Sequence, residues 1–235
     1  MGSDPEVIVK AICASLLDSN VLVQRCSLDL LSQALPMHIE VIKFSHQDLV
    51  EVVAAATSVL LRRDMSLNRR LYNWLCGTFE QQKRSHKRTD SETSYVDDSS
   101  IYFGHYSKNL LIEAVKLIFQ RSLDIDNNGP DLKSYRLVMT LLDKPEVGGV
   151  ILEDIMIDVF RAMYFSKKNA EENSGQKQEL IKSANLLFGT LESAFIWEFC
   201  AKAFEKASCQ RFRISDTEGK IKMSIYRIPS NNIRP

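Results

Sequence analysis

Apolar residues recur at intervals of three and four along most of this chain, which is the spacing of one face of an α-helix. Between His46 and Arg63, for instance, one face collects Leu49, Val52, Val53, Ala56 and Leu60. The same spacing predicts helices over Val7–Leu17, Val21–Leu35, His46–Arg63, Leu67–Leu75, Tyr102–Leu123, Asp131–Asp143, Val150–Phe165, Gln178–Leu191 and Ser193–Ala207.

Helix boundaries are marked by residues that cap or break helices. Asp4 and Pro5 offer a cap followed by a first helical position. Asn20 or Ser19 is predicted to cap the second helix, and Ser66 the fourth. Gly77 stands where a left-handed C-terminal residue is expected.

Three segments depart from the helical spacing. Residues 78–100 and 167–175 are polar and are predicted to be loops. At the C-terminus, residues 211–214 and 220–225 alternate with a period of two, which suggests a short β-hairpin. The predicted organisation is therefore one helical region over residues 1–208, containing a mobile loop at 78–100, followed by a tail or short hairpin over residues 209–235.

A weak internal repeat points to the architecture. Asp18–Arg25 precedes one apolar helix, and Asp64–Arg70 precedes another about 45 residues later, a spacing typical of HEAT and armadillo arrays. Neighbouring helix pairs in such arrays stack because one pair cannot bury its apolar face alone. We predict an all-α, HEAT/armadillo-like α-solenoid of antiparallel helix pairs, with a single closed helical bundle as the alternative.

Composition excludes several classes of protein. The chain has 235 residues, 30 Lys and Arg against 30 Asp and Glu, and 45% hydrophobic residues, which argues against a disordered chain or a generic polybasic nucleic-acid binder. Its five cysteines have no C-x-x-C spacing, which is typical of a reducing, cytoplasmic protein. The uncharged run Val52–Leu61 reaches about half of the ~20 residues that span a bilayer. A helix that begins almost at once suggests a segment of a longer protein.

Catalytic and metal-binding motifs are absent from the sequence. There is no phosphate-binding glycine loop, no H-E-x-x-H and no G-x-S-x-G. Residues 124–129 match the first half of a calcium loop, but Tyr135 stands where the loop needs a bidentate Glu. Glu153, Asp154 and Asp158 lie opposite the apolar stripe of their helix and are expected to be solvated. We therefore predict no enzyme activity, no cofactor and no metal.

Charge is uneven along the chain although it sums to zero. Residues 62–88 carry eight basic side chains against two acidic ones. We take them as a candidate patch for a protein partner or anionic lipid: Arg62, Arg63, Arg69, Arg70, Lys83, Arg84, Lys87 and Arg88. The alternatives are that the acidic run at 89–100 neutralises the loop residues and that the four arginines have internal structural roles.

Three segments resemble the Dopey family. They are LLRRDMSLNRRLYNWL (residues 60–75), DSNVLVQRCSLDLL (residues 18–31), and LLDKPEVG (residues 141–148) followed by residues 155–164. Their order and spacing agree with the later part of the conserved N-terminal region of that family, and the resemblance covers roughly residues 10–208.

The resemblance implies a function that the residues alone do not show. Dopey proteins are large peripheral proteins of Golgi and endosomal membranes, act in membrane trafficking, and have no known catalytic motif. The implied partners are a large scaffold related to big Arf exchange factors, an aminophospholipid flippase, kinesin light chain and phosphoinositides. This function implies no nucleic-acid partner. The alternatives are a helical-repeat nucleic-acid-binding module and an enzyme with an unrecognised site.

Overall fold

The structure is a computed structural model and describes residues 5–39, 44–77, 98–124, 132–169 and 175–217. The first part contains α1 (Pro5–Leu16), α2 (Val21–Ala34), α3 (His46–Thr57), a 3₁₀ segment (Ser58–Arg62) and α4 (Met65–Cys76). The second contains α5 (Asp98–Tyr102), a π-helical segment (Phe103–Ser107), α6 (Lys108–Asp124), α7 (Lys133–Leu142), α8 (Gly148–Asn169), α9 (Gly175–Thr190) and α10 (Ser193–Thr217). The chain divides into two units, residues 1–189 and residues 190–235.

Side-chain caps fix where the early helices begin. The side chain of Asn20 accepts a hydrogen bond from the backbone N–H of Leu22, so the predicted cap of α2 is confirmed. Ser45 and Asp48 form a reciprocal capping box at the start of α3. The predicted cap of α4 was wrong by two residues: Asp64, not Ser66, is the cap, and its Oδ1 accepts from the N–H groups of Ser66 and Leu67.

Helices α1–α4 and α6–α8 lie in two layers. In the first layer α1 packs on α3, α3 on α6, and α6 on α8. In the second, α2 packs on α4, and α7 contacts the 3₁₀ segment. Thr140 O of α7 also accepts a hydrogen bond from the hydroxyl of Tyr72 on α4. Consecutive helices such as α1 and α2 lie in opposite layers, so each helix pair extends both layers.

Helices within one layer run parallel, as the pairing of their side chains shows. Between α2 and α4, Arg25 binds Asp64, Asp29 binds Arg70, and Leu35 O accepts from the indole of Trp74. Residue numbers therefore increase in the same direction along both helices. The partners on α3 and α6 rise in the same way, from His46 with Glu113 to Glu51 with Arg121. A closed up-and-down bundle has antiparallel neighbours, whereas parallel layer mates are the mark of stacked helix pairs. The predicted α-solenoid is confirmed.

The core lies between the layers and along each layer. Its largest fully buried side chains are Tyr102, Tyr135, Phe103, Phe119, Leu16, Leu28, Leu31, Leu60, Leu67, Leu71, Leu75 and Leu111. Helix α3, with a neighbour on each side, buries every residue from Val52 to Thr57. At about 25 cal/mol per Å² of buried apolar surface, such helix faces supply the main stabilising free energy.

Several predicted boundaries differ from the structure. The third helix tightens to 3₁₀ geometry at Ser58, before the predicted end at Arg63, and Arg63 is left-handed with φ 55°. Gly77 has the expected positive φ, 77°, but its ψ of 156° is extended rather than left-handed helical. Residues 98–100 and 167–169, predicted as loop, are helical. The other residues of the two predicted loops, except Gly175, lie outside the described ranges.

The C-terminal part of the chain is helical for as far as it is described. Residues 211–214, predicted as the first strand of a hairpin, belong to α10, so that strand prediction was wrong. No Gly or Pro occurs between Ser193 and Glu218 to end the helix. The alternation of only four residues is too short a strand signal to interrupt a helix of this length. The second predicted strand, residues 220–225, lies outside the described residues, and the division at residue 208 remains a prediction.

None of the described helices is long and apolar enough to cross a membrane.

Candidate functional site at the first two helix pairs

The predicted basic patch centres on the turn between α3 and α4. The 3₁₀ segment places Arg62 at its end, the left-handed Arg63 reverses the chain, and Arg69 and Arg70 follow in the second turn of α4. The other four members of the patch, Lys83, Arg84, Lys87 and Arg88, lie outside the described residues.

Two of the four described arginines have partners inside the fold. Arg62 Nη2 donates to the carbonyl of Asp18, just after α1, at 3.0 Å. Arg70 Nε donates to Asp29 Oδ1 at 2.9 Å, and its Nη1 donates to Ser66 Oγ at 2.7 Å. These two side chains fix the second helix pair against the first, which is the structural role that sequence reasoning left open.

A third arginine, outside the predicted patch, completes this arrangement. Arg25 on α2 donates from Nη2 to Asp64 Oδ2 at 2.9 Å. The pKa of Asp64 is held below its ordinary value, first by the N–H of Leu67 and further by Arg25. Arg25–Asp64 and Arg70–Asp29 thus form reciprocal pairs, each joining an arginine of one repeat to a carboxylate of the other. Arg25, Asp64 and Arg70 belong to the two repeat lead-ins, which were the sequence signal for this contact, whereas Asp29 lies outside them.

The remaining two arginines face solvent. Among the described residues, no hydrogen bond or ion pair engages the side chain of Arg63 or Arg69, and both are exposed. The nearest acidic group in sequence, Asp64, already uses one oxygen for the helix cap and the other for Arg25. Arg63 and Arg69 therefore carry positive charge that can bind an anionic group outside the chain.

Sequence reasoning missed an apolar cavity of about 280 Å³ at the other end of α2 and α4. Its lining is Leu31, Leu35, Pro36, Met37, His38, Ile39, Phe44, Leu49, Val52, Trp74 and Leu110. Beside it, His38 Nδ1 and the Tyr102 hydroxyl share a hydrogen bond of 2.9 Å. Burial raises the pKa of Tyr102 to about 12, so its hydroxyl stays protonated near neutral pH. In the sequence, the apolar residues Met37 and Ile39 after Pro36 were the feature from which this cavity could have been predicted.

Carboxylates that were expected to be solvated are paired with the neighbouring helix. Asp154 of α8 lies 3.3 Å from Lys108 Nζ, and Asp158 lies 4.0 Å from Lys116 Nζ, both on α6. Glu153 and Asp154 are exposed as expected, whereas Asp158 is partly buried, and the two aspartates also link two helices of one layer. Within the described ranges, no cluster of His, Cys, Asp and Glu has the arrangement of a metal site. Residues 125–129, most of the calcium-like loop, lie outside those ranges.

Aromatic side chains of the described helices fall into two groups. Tyr72 is partly buried, and Trp74 is buried with its indole N–H donating to Leu35 O at 2.9 Å. Trp197 and Phe204 of α10 instead expose 75% and 79% of their surface. They lie seven residues apart and thus on one stripe of the helix.

Comparison with known protein families divides the chain in two. A model described as Dopey, N-terminal, matches residues 1–80, and a model described as the DOP1 middle TPR domain matches residues 102–233. No solved structure matches the chain.

Curated relatives cover nearly the whole chain. It is 41% identical over 216 residues to Protein DOP1 homolog of Drosophila melanogaster, with 90% of the chain and 8% of the relative covered. It is 36% identical over 234 residues to Protein DOP1B of Mus musculus, with 87% and 10% covered. With Protein DOP1 of Saccharomyces cerevisiae it shares 26% identity over 203 residues, with 83% and 11% covered. The chain thus spans about a tenth of the length of these relatives.

Proposed function

The chain belongs to the Dopey family, and on that premise we propose that it is a non-catalytic scaffold segment of a large peripheral membrane protein in Golgi–endosome trafficking. The observation that carries the proposal is the two-layer stack of helix pairs, whose repeats are tied together by Arg25–Asp64 and Arg70–Asp29. Stacked repeats of this kind present an extended surface of fixed shape, which suits binding to other macromolecules.

Arg63 and Arg69 are the proposed contact points for an anionic partner. Both are exposed and carry charge that the described part of the fold does not use, whereas Arg62 and Arg70 support the fold itself. Lys83, Arg84, Lys87 and Arg88, which lie outside the described ranges, are proposed as further contacts on the basis of their charge alone. Each base near an anionic membrane contributes about 1 kcal/mol.

The proposed partners come from the family resemblance. They are the large scaffold related to big Arf exchange factors, the aminophospholipid flippase and kinesin light chain, together with phosphoinositide headgroups. The proposed location is the cytoplasmic side of Golgi and endosomal membranes.

Vesicle binding tests the anionic contact. The chain is mixed with vesicles of graded phosphatidylserine or phosphoinositide content, and the bound fraction is measured by flotation. We expect R63E/R69E to weaken binding, while R136E/K182E, which makes the same change in net charge at two other exposed positions, leaves it close to wild type. Equal binding by both variants and wild type would remove Arg63 and Arg69 from the membrane contact.

Purified partners test the scaffold proposal separately. The chain is immobilised and offered the purified large scaffold, flippase or kinesin light chain, with an RNA and a DNA oligonucleotide as further ligands. The proposal predicts saturable binding of at least one of the proteins and only weak, strongly salt-dependent binding of the oligonucleotides. Tight oligonucleotide binding with no protein binding would favour the nucleic-acid alternative.

A further inference from the structure

The boundary between the two family regions coincides with one of the most extensive contacts of the fold. Helices α1–α4 lie in the first region and α6–α9 lie in the second, which begins at the last residue of α5. We call residues 5–77 the first half and residues 98–189 the second half. Helix α3 of the first half packs along α6 of the second, and α7 packs on the 3₁₀ segment.

Apolar side chains from both halves enter one core. Val52 and Val53 of α3 and Leu111 and Val115 of α6 are all buried in the same cluster. Since α3 is covered by α1 on one side and by α6 on the other, removal of the second half would expose much of its segment Val52–Thr57, in which every residue is buried. The first half therefore presents an incomplete core on its own.

Polar contacts fix the register of this interface. Nη2 of Arg121 lies 2.6 Å from both carboxylate oxygens of Glu51, and His46 Nε2 lies 2.7 Å from Glu113 Oε2. Tyr72 donates its hydroxyl to Thr140 O at 3.3 Å. These contacts spread over α3, α4, α6 and α7, so they define one alignment of the two halves.

The end of α4 contributes a further close contact. Ser107 Oγ donates to the carbonyl of Leu75 at 2.6 Å, and the ring of the fully buried Tyr102 lies against Gly77. A Cβ placed on Gly77 would lie 3.0 Å from three carbons of that ring. The first half thus ends at a glycine whose missing side chain leaves room for the ring of Tyr102 from the second half.

We propose that the surface formed by α3, the 3₁₀ segment and α4 is a binding site for the second half that holds it without the covalent connection. The two family regions are accordingly one cooperative unit rather than two separable domains. This inference is independent of the proposed trafficking function, since it concerns only contacts within the chain.

Controlled cleavage of the intact chain tests the proposal. A protease recognition sequence is inserted between residues 78 and 97, the folded chain is cut, and the products are separated by size exclusion at micromolar concentration. We expect both fragments to elute together with the helical circular dichroism of the uncut chain. Elution of separate or aggregated fragments from a chain that was folded before the cut would overturn the proposal.

Charge exchange at the interface makes the test specific. E51R places two arginines opposite each other, and we expect it to raise the dissociation constant of the cut fragments about tenfold or more. The double variant E51R/R121E restores opposite charges, and we expect recovery to within about threefold of wild type. D29R is the matched control, since the Asp29–Arg70 pair lies wholly within the first half and its loss leaves the interface intact. An equal effect of D29R and E51R, or no recovery in the double variant, would contradict the assigned interface.

Discussion

The guanidinium of Arg25 on α2 donates to Oδ2 of Asp64 at 2.9 Å, while the other carboxylate oxygen of Asp64 caps α4. One carboxylate therefore starts a helix and also joins that helix to the preceding repeat. Arg70 of α4 binds Asp29 of α2 in the same way. Each of the first two helix pairs therefore supplies an arginine to a carboxylate of the other.

Substitution of Asp64 separates its two roles. Asn caps helices about as well as Asp, so D64N keeps the cap and loses the charge attraction to Arg25. D64A loses both. We expect the urea midpoint of unfolding to fall slightly in D64N and further in D64A. Equal midpoints for the two variants would show that the cap adds nothing beyond the ion pair.

Acid lowers the contribution of Asp64. Its pKa in the folded chain is held below the ordinary value of 3.8, chiefly by the N–H of Leu67 and also by Arg25. The folded state therefore binds the proton more weakly than the unfolded state, so the stabilisation is fully present above the unfolded pKa and is lost as pH falls through the folded pKa. We expect the stability difference between wild type and D64N to be constant near neutral pH and to shrink below about pH 4. A difference that grows towards acid pH would contradict this assignment.

The helices and their stacking could be predicted from sequence because both depend on local, periodic features. The spacing of Leu49, Val52, Val53 and Leu60 identified a buried face, and the recurring Asp and Arg identified the repeat. The patch was harder, since a list of arginines does not distinguish Arg70, which binds Asp29, from Arg69, which faces solvent. That difference depends on which side of α4 faces α2, a tertiary fact that a charge count does not contain.

Arg63 is strained by its left-handed backbone, and glycine is expected to relieve this. A non-glycine residue at φ 55° costs about 1–2 kcal/mol. Glycine costs more conformational entropy on folding, which offsets part of this gain. We therefore expect R63G to stabilise the protein by about 0.5 kcal/mol. R69G is the control: it makes the same chemical change within α4, where glycine costs about 1 kcal/mol. Opposite signs in urea unfolding are the expected result, and destabilisation by both variants would argue against strain at Arg63.

Trp74 joins the ends of α4 and α2 through its indole N–H. The bond to Leu35 O is 2.9 Å long, and the ring also lines the apolar cavity. W74F keeps an aromatic ring but leaves the carbonyl without this donor, so we expect a loss of about 1–3 kcal/mol. Y164F is a control, since Tyr164 is 65% exposed and loss of its hydroxyl leaves no buried polar group unpaired. Similar stability of W74F and wild type would show that the Leu35 carbonyl finds another donor.

Gly148 and Gly149 are adjacent, yet alanine is expected to have opposite effects at the two positions. A Cβ on Gly148 would collide with the carbonyl oxygen of Leu141 at the end of α7, and neither backbone can move without disturbing the turn between α7 and α8. A Cβ on Gly149 meets nothing within 4 Å, and alanine favours the helix that has already begun there. We expect G148A to destabilise the chain by about 1–3 kcal/mol and G149A to stabilise it by about 0.5–1 kcal/mol.

Urea unfolding of the two variants, with circular dichroism at neutral pH, measures this difference directly. Because the substitutions are chemically identical and one residue apart, changes in the unfolded chain cancel in the comparison. The sign of the difference therefore reports the close approach of α8 to the end of α7. If G148A proved as stable as G149A, the two helices would have to lie farther apart at this turn, and the contact that begins α8 would be wrong.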